Sequence, residues 1–227
     1  MNTFFRRGLP ALLALSAIGA HGQFYKLHGA SISAGGFGQF NTELESNPTP
    51  VTVPLTTPVI GTTQATGQQQ FTTGSAGALV SLQFHPVTWA GVELNYGYTR
   101  YSEKYTFDYA NRPTVISSAD IPVNQHEATG AYLFHPRHIP FQPFMGVGGG
   151  AIDFNPAFAA QRGGSNQWRG AGLLEAGFEI PTRSKHIQFR VEGRSLYYRA
   201  PNFYMATIST RSWRVQSEPV VSAVYRF

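Results

Sequence analysis

Residues 92–99 read Val-Glu-Leu-Asn-Tyr-Gly-Tyr-Thr. Every second residue from Val92 to Tyr98 is apolar or aromatic, and the residues between them, from Glu93 to Thr99, are polar or glycine. Successive side chains of a β-strand point to opposite faces of the sheet, so this alternation predicts a strand with one apolar and one polar face.

The same character recurs along the chain, and the spacing of the repeats predicts a topology. Eight segments qualify: 24–40, 74–85, 89–101, 125–135, 141–154, 167–180, 187–200 and 213–227. The connections between them alternate in length, with short ones at 85–88, 136–140 and 181–186 and long ones at 41–73, 102–124, 155–166 and 201–212. Short turns at one end and long loops at the other are typical of a transmembrane β-barrel. The prediction is an all-β fold, an eight-stranded antiparallel up-and-down barrel, whose Thr- and Gln-rich first connection is a mobile surface loop.

Composition agrees with this prediction and excludes several classes of site. Charged residues are only 13% of the 227 residues, and aromatic residues are 14%. Cysteine is absent, which excludes disulfides, thiolate metal sites and a cysteine nucleophile. The formal net charge of +5 falls to +3 without Arg6 and Arg7. So small and scattered an excess predicts no nucleic-acid partner.

Residues 1–22 have the pattern of a secretory signal peptide, and residues 23–227 form the predicted barrel domain. Arg6 and Arg7 are the positive start, a short apolar stretch follows, and Ala20 and Gly22 are the small residues before a cleavage site. The apolar stretch is shorter than the roughly 20 residues that a membrane-spanning helix needs. We therefore expect export into an envelope compartment and a mature chain that begins at Gln23.

The carboxyl terminus carries a recognisable pattern. Val221, Ala223, Tyr225 and Phe227 recur at every second position and end the chain, with Pro219 as a mild departure from a regular strand. This pattern resembles the C-terminal signal that the β-barrel assembly machinery recognises. The mature chain as a whole resembles the small outer-membrane barrels of the OmpA, OmpX and OmpW type. The resemblance implies a Gram-negative outer-membrane location and periplasmic chaperones as partners during assembly.

Charged residues fall at positions whose side chains face the predicted lumen. They are Glu93, Glu127, Glu175, Glu179, Glu192, Glu218, Arg169, Arg190, Arg194 and Arg226. One hypothesis is an ion path. The other, which we favour, is a plug of paired side chains, because an eight-stranded barrel is just wide enough for side chains to fill and buried charges must be paired. The near balance of acids and arginines also favours the plug.

A second basic set lies near the predicted loop end of the barrel. It comprises Arg100, Lys104, Arg162, Arg169, Arg199, Arg211 and Arg214. The arginine guanidinium suits phosphate, so these residues are candidates for contact with lipopolysaccharide. The alternative is an ordinary solvated rim mixed with Glu103, Asp108 and Asp120, and both readings stay open.

Histidines and one rim cluster are the remaining candidates for chemistry. His85, His135, His138 and His186 fall at the predicted short turns, where a metal site is the less favoured hypothesis and an interfacial role the favoured one. His126 beside Glu127, with Ser117 and Ser118 before them, is the only candidate for rim catalysis. No motif joins these residues, so we expect no enzyme, no cofactor and no metal.

The predicted function is a plugged outer-membrane barrel with a structural or surface-interaction role through its loops. The expected partners are outer-membrane lipid and lipopolysaccharide, and the expected state is a monomer. Two alternatives stay open, a narrow channel or transporter for small or hydrophobic molecules and a rim enzyme that acts on outer-membrane lipid.

Overall fold

A computed structural model describes residues 29–46, 52–54, 62–109, 117–136, 142–157, 165–204 and 212–227. Within these ranges every regular element is a β-strand, and none of the described residues forms a helix able to cross a membrane. The strands are β1 (Ala30–Asn41), β2 (Leu44–Ser46), β3 (Thr52–Pro54), β4 (Thr62–Thr72), β5 (Ser75–Val87), β6 (Ala90–Tyr109), β7 (Ser117–Phe134), β8 (Pro143–Pro156), β9 (Gln167–Pro181), β10 (Ile187–Arg199) and β11 (Trp213–Arg226). The predicted signal peptide and the first residues after it lie outside the described residues.

Eight of these strands close into a barrel. β1 and β5 to β11 each pair antiparallel with the next in sequence, and β1 pairs with β11 to close the ring. The prediction of an eight-stranded antiparallel meander is therefore confirmed. Closure gives the backbone donors and acceptors of every barrel strand a partner on both sides.

The barrel has two unlike ends, which we call the turn end and the loop end. The turn end holds the β5–β6, β7–β8 and β9–β10 connections, together with Ala30 and Phe227. The loop end holds the other four connections. At the loop end β6 and β7 continue as a long hairpin paired as far as Phe107 and Ser117.

Two predictions about the loop end are wrong. The 102–124 connection is largely strand, because inward positions such as Tyr101, Tyr105, Ile121 and Val123 continue the alternation past the polar residues that suggested a loop. The first connection is not a structureless loop either. It contains β2, β3 and β4, and β4 pairs with the outer part of β6. Its threonines suit a strand once that edge of β6 offers unpaired backbone groups.

The two faces of the barrel wall alternate as predicted. Leu94, Leu174, Phe189 and Val221 are exposed on the outside, whereas Glu93, Glu175 and Arg190 point into the lumen and are buried. Exposed aromatic residues ring both ends of the outer face. At the turn end they are Trp89, Tyr132, Phe134, Phe178, Tyr225 and Phe227, and at the loop end Phe40, Tyr98, Trp168, Tyr197 and Trp213.

Candidate functional site in the barrel lumen

β10 carries the two arginines around which the turn-end half of the lumen is built. Arg190 and Arg194 are four residues apart on the inward face, so they lie on the same side of the strand at different depths. Strand register places glutamates beside them. Arg190 is opposite Glu179 of β9, and Arg194 lies between Glu175 of β9 and Glu218 of β11.

Arg190 is fully buried and has three carboxylate neighbours. Its Nη1 atom lies 2.6 Å from Glu93 Oε2 and 3.3 Å from Glu192 Oε2, and its Nη2 atom lies 3.3 Å from Glu179 Oε1. Its guanidinium carbon lies 4.0 Å from the centre of the Phe144 ring, a cation–π contact. Four strands are thus held across the lumen by one side chain.

Arg194 forms the next layer toward the loop end. It donates to Glu127, and its Nη1 atom donates to Glu218 Oε2 at 2.7 Å. Glu175 lies farther away, with its Oε2 atom 3.7 Å from Arg194 Nε, and within the described residues neither Glu175 oxygen accepts a hydrogen bond. Gly146 leaves the space for this side chain, since a Cβ atom there would lie 2.5 Å from Glu175 Oε1.

The lumen is more acidic than predicted. Among the described residues, seven glutamates but only three arginines are buried in the lumen. Two of the predicted lumenal arginines are not fully buried, since the Arg226 side chain is 38% exposed and Arg169 is half-buried. The predicted near balance is therefore wrong. Glu103 and Arg214 enter the lumen as an added pair, so the surplus lies in the turn-end half.

A layer of amides crosses the lumen beyond Arg194. Gln39 Nε2 donates to Gln216 Oε1 at 3.0 Å, Tyr198 Oη donates to the same oxygen at 2.8 Å, and Gln125 Nε2 lies 3.3 Å from it. Gln216 Nε2 in turn donates to Glu218 Oε1 at 2.5 Å, which joins the amides to the Arg194 layer. Together these contacts extend the network from wall to wall.

At the loop end of the lumen, Arg214 and Glu103 form a bidentate ion pair. The two nitrogen–oxygen distances are 2.6 and 3.0 Å, and both side chains are fully buried. Gln70 of β4 donates to Glu103 Oε1 at 2.8 Å. The assignment of Arg214 and Glu103 to the exposed rim is wrong, because the elongated β6 and β7 place the true rim farther out.

Apolar and aromatic side chains surround this pair. The cluster consists of Tyr101, Tyr105, Ile121, Val123, Ala131, Ile152, Phe154, Ala171, Leu173, Leu196, Tyr198 and Phe203. Phe203 belongs to the connection after β10, and the described residues 201–204 of that connection bring its ring into the cluster. The backbone at Phe203 and Tyr204 is left-handed, with φ of 51° and 58°. This unfavourable conformation is held by Gln167, whose side-chain oxygen accepts from the backbone nitrogens of Asn202 and Phe203.

The turn end of the barrel holds Arg226 and three of the four predicted turn histidines. Arg226 Nη2 donates to Glu179 Oε2 at 2.5 Å and to Gln142 Oε1 at 3.1 Å. His85 and His135 lie in ring contact, whereas His186 stacks on Tyr225 outside the lumen. His138 lies outside the described residues.

The remaining basic candidates are distributed around the loop end. Arg100 and Arg199 are exposed, and Lys104 is half-buried with its ammonium 5.9 Å from the centre of the Phe71 ring. Arg169 is half-buried, and its Nη2 atom lies 3.4 Å from Asn202 Oδ1. Arg162 and Arg211 lie outside the described residues.

The candidate catalytic pair is not brought together. His126 is on the outer face, where its Nδ1 atom lies 2.8 Å from Tyr96 Oη, whereas Glu127 points into the lumen toward Arg194. Adjacent residues of a strand face opposite sides, so the wall separates the two groups. The side chains of Ser117 and Ser118 lie outside the described part of the structure.

The four residues of the predicted assembly signal lie in one row. Val221, Ala223, Tyr225 and Phe227 are all exposed on the outer face of β11 and just beyond it, running toward the turn end. This row is apolar and closes the seam with β1, where Ile32 pairs with Tyr225. Whether assembly machinery reads it stays a prediction.

Comparison with solved structures finds similar chains at low sequence identity. Neisserial surface protein A is similar over 87% of this chain and 97% of its own, with 8% identity and a TM-score of 0.49. It is one of several structural neighbours that are small outer-membrane barrels. Ail of Yersinia pestis, solved with the heparin analogue sucrose octasulfate, covers 87% of this chain and 97% of its own at 13% identity and a TM-score of 0.43.

The outer membrane protein AlkL, solved in lipid bilayers, covers 88% of this chain and 91% of its own, with 11% identity and a TM-score of 0.43. At such identities the likeness concerns the fold alone. No known family profile matches the sequence, and no curated protein does.

Proposed function

We propose that the chain is an integral outer-membrane β-barrel whose lumen is closed by its own side chains and whose loop end contacts lipopolysaccharide and surface partners. The observation that carries this proposal is the series of buried side chains in the lumen, from Glu179 at the turn end to Arg214 and Glu103 at the loop end. Such a lumen favours a structural or surface role over conduction.

The outer face supports the membrane location. It presents a broad band of exposed apolar side chains between two aromatic rings, and a surface of that kind is unstable in water. The barrel strands have 12 to 20 residues, and a tilted strand of about 9–11 residues is enough to cross the hydrocarbon layer. We propose that the turn end faces the periplasm, since short turns are typical of that side.

Fractionation of cells that express the full chain tests the location. We expect the protein in the outer-membrane fraction, with heat-modifiable migration on gels and a mature chain that starts at Gln23. Recovery in the soluble fraction, or an uncleaved leader on folded protein, would contradict the proposal.

A substitution on the outer face tests which surface meets lipid. Leu94 is 53% exposed on the outside at mid-strand. We expect Leu94→Arg to lower the free energy of unfolding in lipid vesicles by about 2–4 kcal/mol, because the guanidinium would face hydrocarbon. Arg183→Gln, at an exposed turn, is the control. A neutral Leu94→Arg would show that this face is not in lipid.

Lipopolysaccharide contact is proposed for Arg169 and Arg199, which lie at the loop end of neighbouring strands. The pairing of Ala171 with Tyr198 brings these two ends together. Guanidinium groups at a headgroup layer suit phosphate. We expect the double variant Arg169→Gln with Arg199→Gln to weaken binding to lipopolysaccharide vesicles, while Arg183→Gln with Lys185→Gln at the turn end leaves it unchanged. Equal binding by both pairs would remove this part of the proposal.

A second candidate function is the binding of a hydrophobic molecule in the loop-end half of the lumen. Phe203 is fully buried there among apolar side chains, although it belongs to a connection and not to a strand. Its removal would leave an apolar pocket above the amide layer. If this function is correct, Phe203→Ala will bind a hydrophobic fluorophore more tightly than the parent chain. No increase in a folded variant would exclude this candidate.

A further inference from the structure

The turn-end mouth brings together two histidines that are fifty residues apart in the sequence. His85 lies near the end of β5 and His135 directly follows β7, with β6 between these strands. Their ring centroids are 4.9 Å apart and the ring planes meet at 68°. Both line a cavity of about 620 Å³ at the mouth, together with Gln142 and Arg226.

A glycine in the intervening strand makes this contact possible. Gly91 of β6 lies between the two histidines, and it is buried. A Cβ atom at Gly91 would lie 2.8 Å from His85 Cδ2 and 2.9 Å from the backbone oxygen of Phe84. Any larger residue would therefore displace the His85 ring from its position over β6.

His135 lacks the hydrogen bonds of a purely structural imidazole, whereas the His85 ring interacts with the backbone of Gly29. Both ring nitrogens of His135 are buried, and neither has a hydrogen-bond partner among the described residues. Buried polar atoms in folded proteins are nearly always bonded, so both nitrogens of His135 are available to a further group. Packing against Phe144, whose ring centroid is 5.9 Å away, accounts for the ring but not for its nitrogens.

The charges near the two histidines are of both signs. Glu179, which pairs with Arg226, interacts electrostatically with both rings, and so do Arg190 and Arg226. These opposite charges offset one another, so the imidazole nitrogens themselves would have to hold a cation.

We propose that His85 and His135 bind one first-row transition-metal ion at the turn-end mouth of the barrel. An ion about 2.0–2.1 Å from one nitrogen of each ring lies roughly 3 Å from each ring centroid. Centroids 4.9 Å apart are therefore close enough for one ion to reach a nitrogen of each ring. The described residues contain no group of three or more metal-ligating side chains, so water from the mouth completes the coordination and the ion is exchangeable.

The chemistry of the donors selects the ion. Imidazole nitrogen prefers Cu²⁺, Zn²⁺ and Ni²⁺ to Mg²⁺ and Ca²⁺, which take oxygen ligands. Among the divalent ions Cu²⁺ is expected to bind most tightly, in line with the general order of affinity. This location rests on the proposed orientation: if the turn end faces the periplasm, the ion lies on the periplasmic side of the closed lumen.

Titration of the tag-free, refolded mature chain with CuSO₄ and with ZnCl₂ tests the site. We expect one Cu²⁺ per chain, with an electron paramagnetic resonance spectrum that shows coupling to imidazole nitrogen. His85→Ala and His135→Ala should each weaken this binding by about tenfold or more, since even residues that only support a metal ligand contribute that much. His186→Ala removes a histidine at the same end that is outside the lumen, and it should bind like the parent.

Gly91→Ala tests whether the histidine pair holds the copper ion, because it disturbs the contact between the rings without removing either imidazole. We expect it to weaken Cu²⁺ binding because the added methyl displaces the His85 ring, while heat-modifiable migration shows that the barrel still closes. If that variant does not fold, the two histidine variants decide. Unchanged Cu²⁺ affinity in a folded His85→Ala or His135→Ala variant would overturn the proposal.

Discussion

The turn-end half of the lumen is filled mainly by glutamate and arginine, whereas the loop-end half is filled mainly by apolar and aromatic side chains around one ion pair. Both halves are buried and both are built by the same strands. They differ in what holds them together. The turn-end half depends on each arginine serving several carboxylates, and the loop-end half depends on packing.

This difference predicts which single substitutions should destabilise the barrel most. Removing a shared arginine leaves several buried carboxylates without a counter-charge, which is costly in a medium that cannot solvate them. Removing one apolar side chain leaves a cavity whose cost depends on how far its neighbours relax. Removing both partners of an isolated pair leaves no unpaired charge at all.

The largest effect is expected from the centre of the charged half. Arg194→Met removes the counter-charge of Glu127 and Glu218 and the nearest cation to Glu175. We expect the free energy of unfolding in lipid vesicles, measured by urea titration, to fall by about 3–5 kcal/mol. Arg183→Met at an exposed turn is the control. A loss below that of the control variant would mean that the network does not stabilise the barrel.

In the apolar half, Phe203→Ala should have the next largest effect. The side chain is fully buried, and replacement of a buried Phe by Ala typically costs about 3–5 kcal/mol. We expect the lower end of this range, about 3 kcal/mol, because Phe203 belongs to a connection that can collapse into the space. Tyr204→Ala, at an exposed neighbour, should change stability by less than about 0.5 kcal/mol. Equal effects of the two variants would show that the connection does not pack into the lumen.

The isolated ion pair should respond differently from the network. We expect Arg214→Met alone to destabilise strongly, since it leaves Glu103 buried and uncompensated. The double variant Arg214→Met with Glu103→Leu should return to within about 1 kcal/mol of the parent, because no charge is left unpaired. A double variant as unstable as the single one would show that the pair is coupled to the rest of the plug.

The last prediction concerns the pH dependence of stability at the turn-end mouth. The pKa of His135 is about 4 in the folded chain and 6.5 ordinarily, so the unfolded chain binds more protons between these values. The free energy of unfolding should therefore fall as the pH is lowered from about 6.5 to about 4, and this contribution is fully present above 6.5. His135→Gln should flatten that part of the profile. An unchanged profile would mean that folding does not lower the pKa of His135.

The facing of most residues in the barrel wall could be predicted from the sequence because strand periodicity is a local property. The alternation from Val92 to Thr99 assigns each side chain to lipid or lumen without knowledge of its neighbours. The same reasoning assigns Glu175, Arg190 and Arg194 to the lumen, where all three side chains are buried. The terminal row from Val221 to Phe227 likewise lies on one face.

The errors have a common physical origin in the length and pairing of the strands. Glu103 and Arg214 were assigned to the rim because polar residues after Tyr101 suggested a loop, and only the register of β6 with β7 shows that the strand continues. The contact of His85 with His135 depends on β6 between them and on the missing side chain at Gly91, which no local pattern encodes. The surplus of buried carboxylates over buried arginines in the lumen depends on the partial exposure of Arg226 and Arg169, which strand alternation does not determine.

Single-channel current through the refolded mature chain in a planar bilayer tests the central claim that the lumen is closed. With heat-modifiable migration as proof of a folded barrel, we predict a steady baseline without conductance steps, because hydrogen-bonded layers around Arg190, Arg194 and Gln216 lie across the lumen. Discrete conductance steps from the folded chain would contradict the account, and they would mean that the glutamates around Arg190 and Arg194 line an ion path.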